Sequence, residues 1–204
     1  MTPKALTCMT NPAGVRSAHR STISSAGKLG GLLFQFPPYV VPKEASLDYL
    51  AWAREQLGDD EMLVEFRHRS WYDDEHRDET LRFLEEHRMA HVVVDAPRME
   101  GKNVPPTVLA LTAPILYVRM HGRNAETWNV RGGSAAERFD YLYSEEELAE
   151  WVDPLRELSS QAQEAYVVFN NNNRSRVGGR EVAQAPTNAE MLRKLLARER
   201  VPVS

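Results

Sequence analysis

Glu65 and Arg67 stand two positions apart in the stretch 63–71, which reads Leu-Val-Glu-Phe-Arg-His-Arg-Ser-Trp. Side chains of an extended strand alternate between faces, so Glu65 and Arg67 share a face with Leu63, while Val64 and Phe66 point the other way. A carboxylate and a guanidinium at the end of an apolar strand are either an ion pair that closes the strand end or a pair of site residues. Repetition favours a site. Other apolar runs end in Gln35, in Asp95, in Arg119 with His121, and in Asn170. Such a set could perform acid–base chemistry on an anionic substrate. Glu65 or Asp95 would be the general base, and His121, whose ordinary pKa lies near neutrality, the general acid. Arg67 and Arg119 would clamp the anion, and Gln35 and Asn170 would bind substrate through their amides. The structural alternative pairs Glu65 with Arg67 and Asp95 with Arg119, and makes His121 a hydrogen-bonded core residue.

Arginines also gather after the strand runs: Arg67 and Arg69, then Arg119, Arg123 and Arg131, then Arg174, Arg176 and Arg180. The acids collect in helical stretches such as Glu145-Glu146-Glu147, so one face of a net-acidic chain could be positive. Guanidinium forks match phosphate, which points to a phosphorylated small molecule or a nucleic acid as partner. No metal is assigned. Glu65, Asp95 and His121 could supply ligands, but no His-x-x-x-His or Asp-x-Asp spacing supports one. A cofactor is not identifiable. A sugar-acting site would need paired carboxylates, for which Glu65 and Asp95 are the candidates.

The elements that must position these residues alternate along the chain. Residues 32–36 form a short apolar run closed by Pro37-Pro38, then Leu47, Leu50, Ala51 and Leu57 follow helical spacing with Ser46 as N-cap. The second strand runs from Glu61 to Arg67, and Asp78 caps a helix through about Arg88 that buries Leu81 and Leu84. Residues 90–94 read as a strand apolar on both faces, as in parallel sheets covered by helices. The segment 98–112 is a short helix or an irregular crossover, 115–120 is the fourth strand, and the long loop 123–142 carries Trp128, Arg131 and Gly132-Gly133. Ser144 and Glu147 make a capping box, and Asp153-Pro154 predicts a bend in the helix that follows. Residues 165–169 are the fifth strand, the asparagines from Asn170 a turn, and Thr187 with Glu190 a capping box for a closing helix. About five strands alternating with helices or crossovers signal an α/β domain with parallel strands. No Gly-x-Gly-x-x-Gly run follows the first strand, and polar residues at C-terminal strand ends suit a barrel.

The 204 residues, 42% hydrophobic and 26% charged with a formal net charge of −4, describe a globular domain and not a globally basic nucleic-acid binder. No run reaches the roughly 18 apolar residues of a membrane span. The single cysteine, Cys8, excludes an internal disulfide and fits a cytoplasmic setting. Residues 1–28 contain Lys4, Arg16, Arg20 and Lys28 but no acid, which predicts a disordered segment ahead of a domain spanning 29–204.

The strand ends taken together resemble a known family. Leu32-Leu33-Phe34-Gln35-Phe36-Pro37-Pro38, Val64-Glu65-Phe66-Arg67-His68-Arg69-Ser70-Trp71, Val94-Asp95-Ala96-Pro97, Tyr117-Val118-Arg119-Met120-His121-Gly122 and Phe169-Asn170-Asn171 are similar, in order, to motifs of the YecE-like family, domain of unknown function 72. Tyr141-Leu142-Tyr143-Ser144 fits as well. The resemblance covers about residues 28–196 and implies a TIM-type (β/α)8 barrel, in a family without an established activity. It matches only strands four to eight, so the expected domain is an incomplete barrel with two open sheet edges. On the barrel reading Gln35, Glu65, Arg67, Asp95, Arg119, His121 and Asn170 converge on one mouth. Two functions follow: a phosphate-ester or nucleic-acid-acting barrel hydrolase, or a truncated, non-catalytic fragment stabilised by self-association. Whether the domain is an enzyme stays open.

Overall fold

Five strands form one parallel sheet in the computed structural model, which describes residues 31–99, 101, 103–128, 138–171 and 173–199. They are β1 (Leu32–Phe36), β2 (Met62–Phe66), β3 (Met89–Asp95), β4 (Ile115–Met120) and β5 (Glu164–Phe169), hydrogen-bonded in chain order. A sequential order has no reversal point, so it differs from the doubly wound arrangement in which strand order turns back. Among the described residues no further strand joins β1 or β5, and no closed barrel is seen. The expected N-terminal segment with Cys8, and Arg131 with Gly132-Gly133, lie outside the described residues.

The helices collect on one side of the sheet. Leu32, Phe34, Val64 and Phe66 pack against Leu50 and Leu57 from α1 (Glu44–Glu55) and its exit, and against Leu84 of α2 (Arg77–Glu86). Leu116, Val118 and Met120 pack against Leu148 of α3 (Glu145–Ala149), Leu155 and Leu158 of α4 (Val152–Gln161), and Leu192 and Leu196 of α5 (Gln184–Arg198). The opposite side buries Leu33, Leu63, Val92, Val94, Ile115 and Tyr117 with Trp128 and Phe139, and none of these five helices contributes to it. This division sets the parity of every strand, and parity decides which strand-end residues can meet.

Several local expectations change. The 63–71 stretch is not all strand: β2 stops at Phe66, and Arg69–Tyr72 forms a 3₁₀ turn. Trp71 then stacks on Phe66 with ring centroids 3.8 Å apart and donates its indole N–H to the Val40 carbonyl at 2.9 Å. Burying the indole against a strand aromatic outweighs further extension of the strand. Ser46 is not the N-cap of α1, which is Lys43, since the Ser46 hydroxyl bonds the Val41 carbonyl. The cap of α2 is His76, and Asp78 lies in its first turn. The crossover 98–112 has no helix among its described residues; the Thr112 hydroxyl ties it to β3 by accepting from His91 N–H and donating to the Met89 carbonyl.

The Ser144/Glu147 capping box is present. The bend after it falls at Glu150-Trp151, with Trp151 as the N-cap of α4, which puts Pro154 in a first turn where no N–H is needed. The Thr187/Glu190 box does not form. The helix starts earlier, at Gln184; the Thr187 hydroxyl bonds back to the Ala183 carbonyl, and Glu190 pairs with Arg193 and Lys194. Between β5 and α5 runs an unexpected hairpin, β6 (Arg174–Val177) with β7 (Arg180–Ala183). Gly178 and Gly179 turn it at φ +57° and +78°, the positive pair that a two-residue hairpin turn demands.

Candidate functional site

Register brings the strand-end residues together on the side away from α1–α5. Gln35 on β1 pairs with Glu65 on β2, and the ladder continues past the strands: His121 N–H donates to the Asp95 carbonyl at 3.0 Å and Asn170 N–H to the Met120 carbonyl at 2.8 Å. Even at strand ends, backbone bonds therefore fix where His121 and Asn170 point.

Glu65 is the centre of the group and is fully buried. Its Oε1 accepts from Gln35 Nε2 at 2.7 Å, from His121 Nε2 at 3.2 Å and from Arg67 at 3.3 Å, while Oε2 accepts from Arg119 at 2.5 Å. Burial pushes the carboxyl up, but His121, Arg119 and Arg67 more than reverse this and hold it well below the ordinary carboxylate range. Burial drives His121 down to about 4, so the ring is neutral at neutral pH. Its Nδ1 then accepts from the Asn170 amide at 3.2 Å, and its Nε2–H donates to Glu65. The imidazole stacks on Phe139, with ring centroids 5.1 Å apart. Arg67 lies over the Trp128 ring at 5.3 Å, and burial lowers its pKa along with the nearby Arg119 and Arg138 charges.

Six of the seven expected site residues thus meet: Gln35, Glu65, Arg67, Arg119, His121 and Asn170. Asp95 does not join them. Its parity is that of Val93, which packs among the helices, and it belongs to a second cluster on that side. Arg123 Nε reaches both its oxygens, at 3.1 and 3.0 Å, and Tyr143 donates its hydroxyl at 2.6 Å while accepting the Gly122 N–H at 2.7 Å. Beyond Arg123 stand Glu150 at 3.1 Å and Glu147 at 3.7 Å. Burial raises the Asp95 pKa against the pull of Arg123 and Tyr143. The Asp95–Arg119 couple is therefore corrected: Arg119 pairs with Glu65, and Asp95 with Arg123. The paired-carboxylate site for sugars and the Glu65–Asp95–His121 metal trio fall for the same reason, and among the described residues no three His, Cys, Asp or Glu side chains are placed to hold a metal.

The expected arginine face is only partly assembled. Arg69 is exposed on the 3₁₀ turn, Arg174 pairs with Glu181 across the hairpin at 2.5 Å, and Arg176 and Arg180 lie exposed on the same hairpin. Arg138 is the addition that no strand pattern announces: its charge reaches Arg67. Among the described residues, the one carboxylate of Glu65 bonds the guanidinium groups of both Arg67 and Arg119. The Nε of Arg119, a residue only 2% exposed, has no hydrogen-bond partner there. A buried donor without an acceptor and an excess of positive charge both invite an anion. A separate cleft of about 430 Å³ opens on the helix side, where Lys43, Glu44, Asp48, His76 and Glu79 surround Trp71; it shares no residue with the Glu65 group.

Comparison with known proteins adds the family. The family model described as "Protein of unknown function DUF72" matches residues 5–203, a span that begins well before the expected residue 28. The UPF0759 protein YunF of Bacillus subtilis (strain 168) is 36% identical over 150 residues, covering 72% of this chain and 53% of that protein. A solved DUF72 family protein from Enterococcus faecalis V583 superposes with a TM-score of 0.77 at 28% identity, over 89% of this chain and 64% of the other. One from Thermotoga maritima MSB8 gives 0.73 at 35% identity, over the same shares. The chain spans about half the length of the curated relative and about two thirds of these solved ones. With a family match across nearly its whole length, the chain belongs to the DUF72 family.

Proposed function

We propose that the sheet is a wall of a TIM-type (β/α)8 barrel, and that its rim on the side away from α1–α5 takes a phosphate-bearing ligand, as in a phosphate-ester or nucleic-acid-acting hydrolase. The sequential strand order and the one-sided helices support the barrel. The observation that carries the ligand reading is the single buried carboxylate between two guanidinium groups, one of which keeps an unpaired buried N–H. A buried charge excess is costly, and a bound anion is what removes the cost.

The geometry redistributes the chemical roles. Glu65, held as a carboxylate by four donors, is a weak base and serves to position Arg67, Arg119 and His121. With its pKa down at about 4 and both ring nitrogens engaged by Asn170 and Glu65, the neutral His121 is not the acid expected from its ordinary pKa and is itself a weak base. Asp95, shut behind Arg123 and Tyr143, takes no part. Hydrolysis then rests on Arg67 and Arg119, which would stabilise the charge on the bound ester as water attacks it.

The test is the binding of a nucleoside monophosphate as salt is raised. Affinity should fall steeply with ionic strength, and Arg119→Ala should weaken it by at least about tenfold, with circular dichroism confirming that the variant folds. Affinity indifferent to both salt and Arg119→Ala ends the proposal.

A further inference from the structure

We infer that the β6–β7 hairpin is a DNA-binding arm, a ribbon that enters the major groove of a duplex and meets the sugar-phosphate strand on either side of it. The inference rests on the anion-binding reading above and names its partner, double-stranded DNA in place of a phosphorylated small molecule.

The hairpin reads Arg-Ser-Arg-Val-Gly-Gly-Arg-Glu-Val-Ala over residues 174–183, three guanidinium groups to one carboxylate. Register sets its faces. Arg174 stands opposite Ala183 and Arg176 opposite Glu181, so these four share one face, while Ser175, Val182, Val177 and Arg180 share the other. Glu181 holds Arg174 at 2.5 Å. Arg176 and Arg180, one on each face beside the turn, are exposed, and among the described residues they make no salt bridge and no side-chain hydrogen bond. The hairpin's own fold does not call for them. Its tip is slim: a Cβ added at Gly178 or Gly179 would meet nothing within 4 Å, and Val177 is 51% exposed. A two-stranded ribbon fits the DNA major groove, where each guanidinium reaches the phosphates of one wall. Four residues a strand make an arm roughly 13 Å long, more than that groove's depth of about 8.5 Å. A flat anionic surface would engage one face and leave the other guanidinium in water.

The arm is fastened beside the Glu65 group. Asn170, four residues before Arg174, bonds His121 at 3.2 Å. At the far end Gln184, only 1% exposed, donates its amide to Ser175 Oγ at 2.8 Å and to Asp140 at 2.5 Å, and accepts the Tyr141 N–H at 3.2 Å. Asp140 follows Phe139, the ring that stacks on His121. A duplex on the arm thus lies by the rim where Arg119 keeps its unpaired N–H.

Fluorescence anisotropy of the whole chain with a labelled DNA duplex of about 20 base pairs tests this. Arg176→Ala and Arg180→Ala should each lower the slope of log affinity against log salt by about one, the mark of a lost phosphate contact, and together weaken binding at least about tenfold. Both positions are exposed, and circular dichroism confirms that the variants fold. Arg193→Ala on α5 should leave binding unchanged. An RNA duplex of the same sequence should bind more weakly, because its major groove is too narrow for a ribbon. Nucleoside monophosphate binding reads the Glu65 site alone and should survive the double substitution. Duplex affinity unmoved by that substitution, or equal affinity for the RNA duplex, overturns the inference while monophosphate binding keeps the anion site. Hairpin-dependent binding to phosphatidylserine vesicles without binding to DNA overturns it as well. Hairpin-dependent DNA binding by a chain that binds no monophosphate upholds the arm and removes the Glu65 site.

Discussion

Two carboxylate–arginine clusters stand at neighbouring strand ends, one on each side of the sheet, and they differ in what they leave unsatisfied. Around Asp95 every partner closes on another: Arg123 spans both oxygens, Tyr143 donates to one of them and takes the Gly122 N–H, and Glu147 and Glu150 absorb the rest of the guanidinium. Gly122 sits at φ +89°, where an added Cβ would come within 2.6 Å of Tyr141 Cβ, so the chain is pinned at this point. Acid exceeds base there. Around Glu65 the balance is the other way, with surplus guanidinium and a buried N–H lacking a partner. A saturated cluster fastens β3 to the segment ahead of α3; an unsaturated one of the opposite sign is built to be completed by something else. The difference teaches that an ion pair at a strand end says little until its donors are counted against its acceptors.

The sharpest way to break this comparison is Glu65→Ala. Removing the one acceptor that Gln35, Arg67, Arg119 and His121 share leaves Arg119 charged and buried, at a cost of about 3–5 kcal/mol. Urea denaturation should show the loss, and a saturating anion should restore part of it by binding the folded state alone. A variant as stable as the parent would mean that Glu65 does not organise the group.

Acid sharpens the contrast, since the two clusters titrate with opposite signs. His91 and His121 are both held neutral at about 4, so in the unfolded chain they gain protons first. Stability should therefore fall as pH drops from about 6.5 to about 4, by roughly 3 kcal/mol for His91, which has no acid partner and bonds Tyr72 and the Val108 carbonyl. Glu65, with its folded pKa depressed, stabilises above its unfolded value of 4.5 and yields that contribution only below it. Asp95, with its pKa raised, runs the other way: the folded state holds its proton more tightly, so protonation slightly offsets the acid loss. Denaturation midpoints across this range should be steepest between about pH 6.5 and 4 and should flatten there in His91→Gln.

Much of this was legible in the chain, for reasons that also explain the rest. Glu65 and Arg67 could be placed on one face because β2 mixes charged and apolar positions, so its alternation is visible. Asp95 could not, because 89–95 are all buried and a strand apolar on both sides does not announce which side carries the helices. Only its register against Arg119 and Met120 settles that. Arg138 follows no apolar strand run, and nothing local marks it. Asn171, Asn188 and Gln184, which bind the backbone of Tyr141 and Tyr143 from β5's exit and α5, were hidden by their separation in sequence. The β6–β7 hairpin, by contrast, was there to be read: Gly178-Gly179 between short alternating runs is a two-residue turn signal. The asparagines before it drew the turn assignment instead.

The smallest expected effect tests the other half of the comparison. Tyr143→Phe keeps the ring that packs on Phe169 and Tyr141 but removes the hydroxyl, so Asp95 loses one donor and the Gly122 N–H one acceptor. With Arg123 still spanning both Asp95 oxygens, the loss should be about 2 kcal/mol, seen as a lower urea midpoint at unchanged slope. Because this cluster points toward the helices, affinity for a phosphate-bearing ligand should stay where it was. An affinity that falls together with stability would mean that the two sides of the sheet are coupled and that the Asp95 cluster supports the site after all; unchanged affinity at reduced stability keeps fastening and recognition on separate faces.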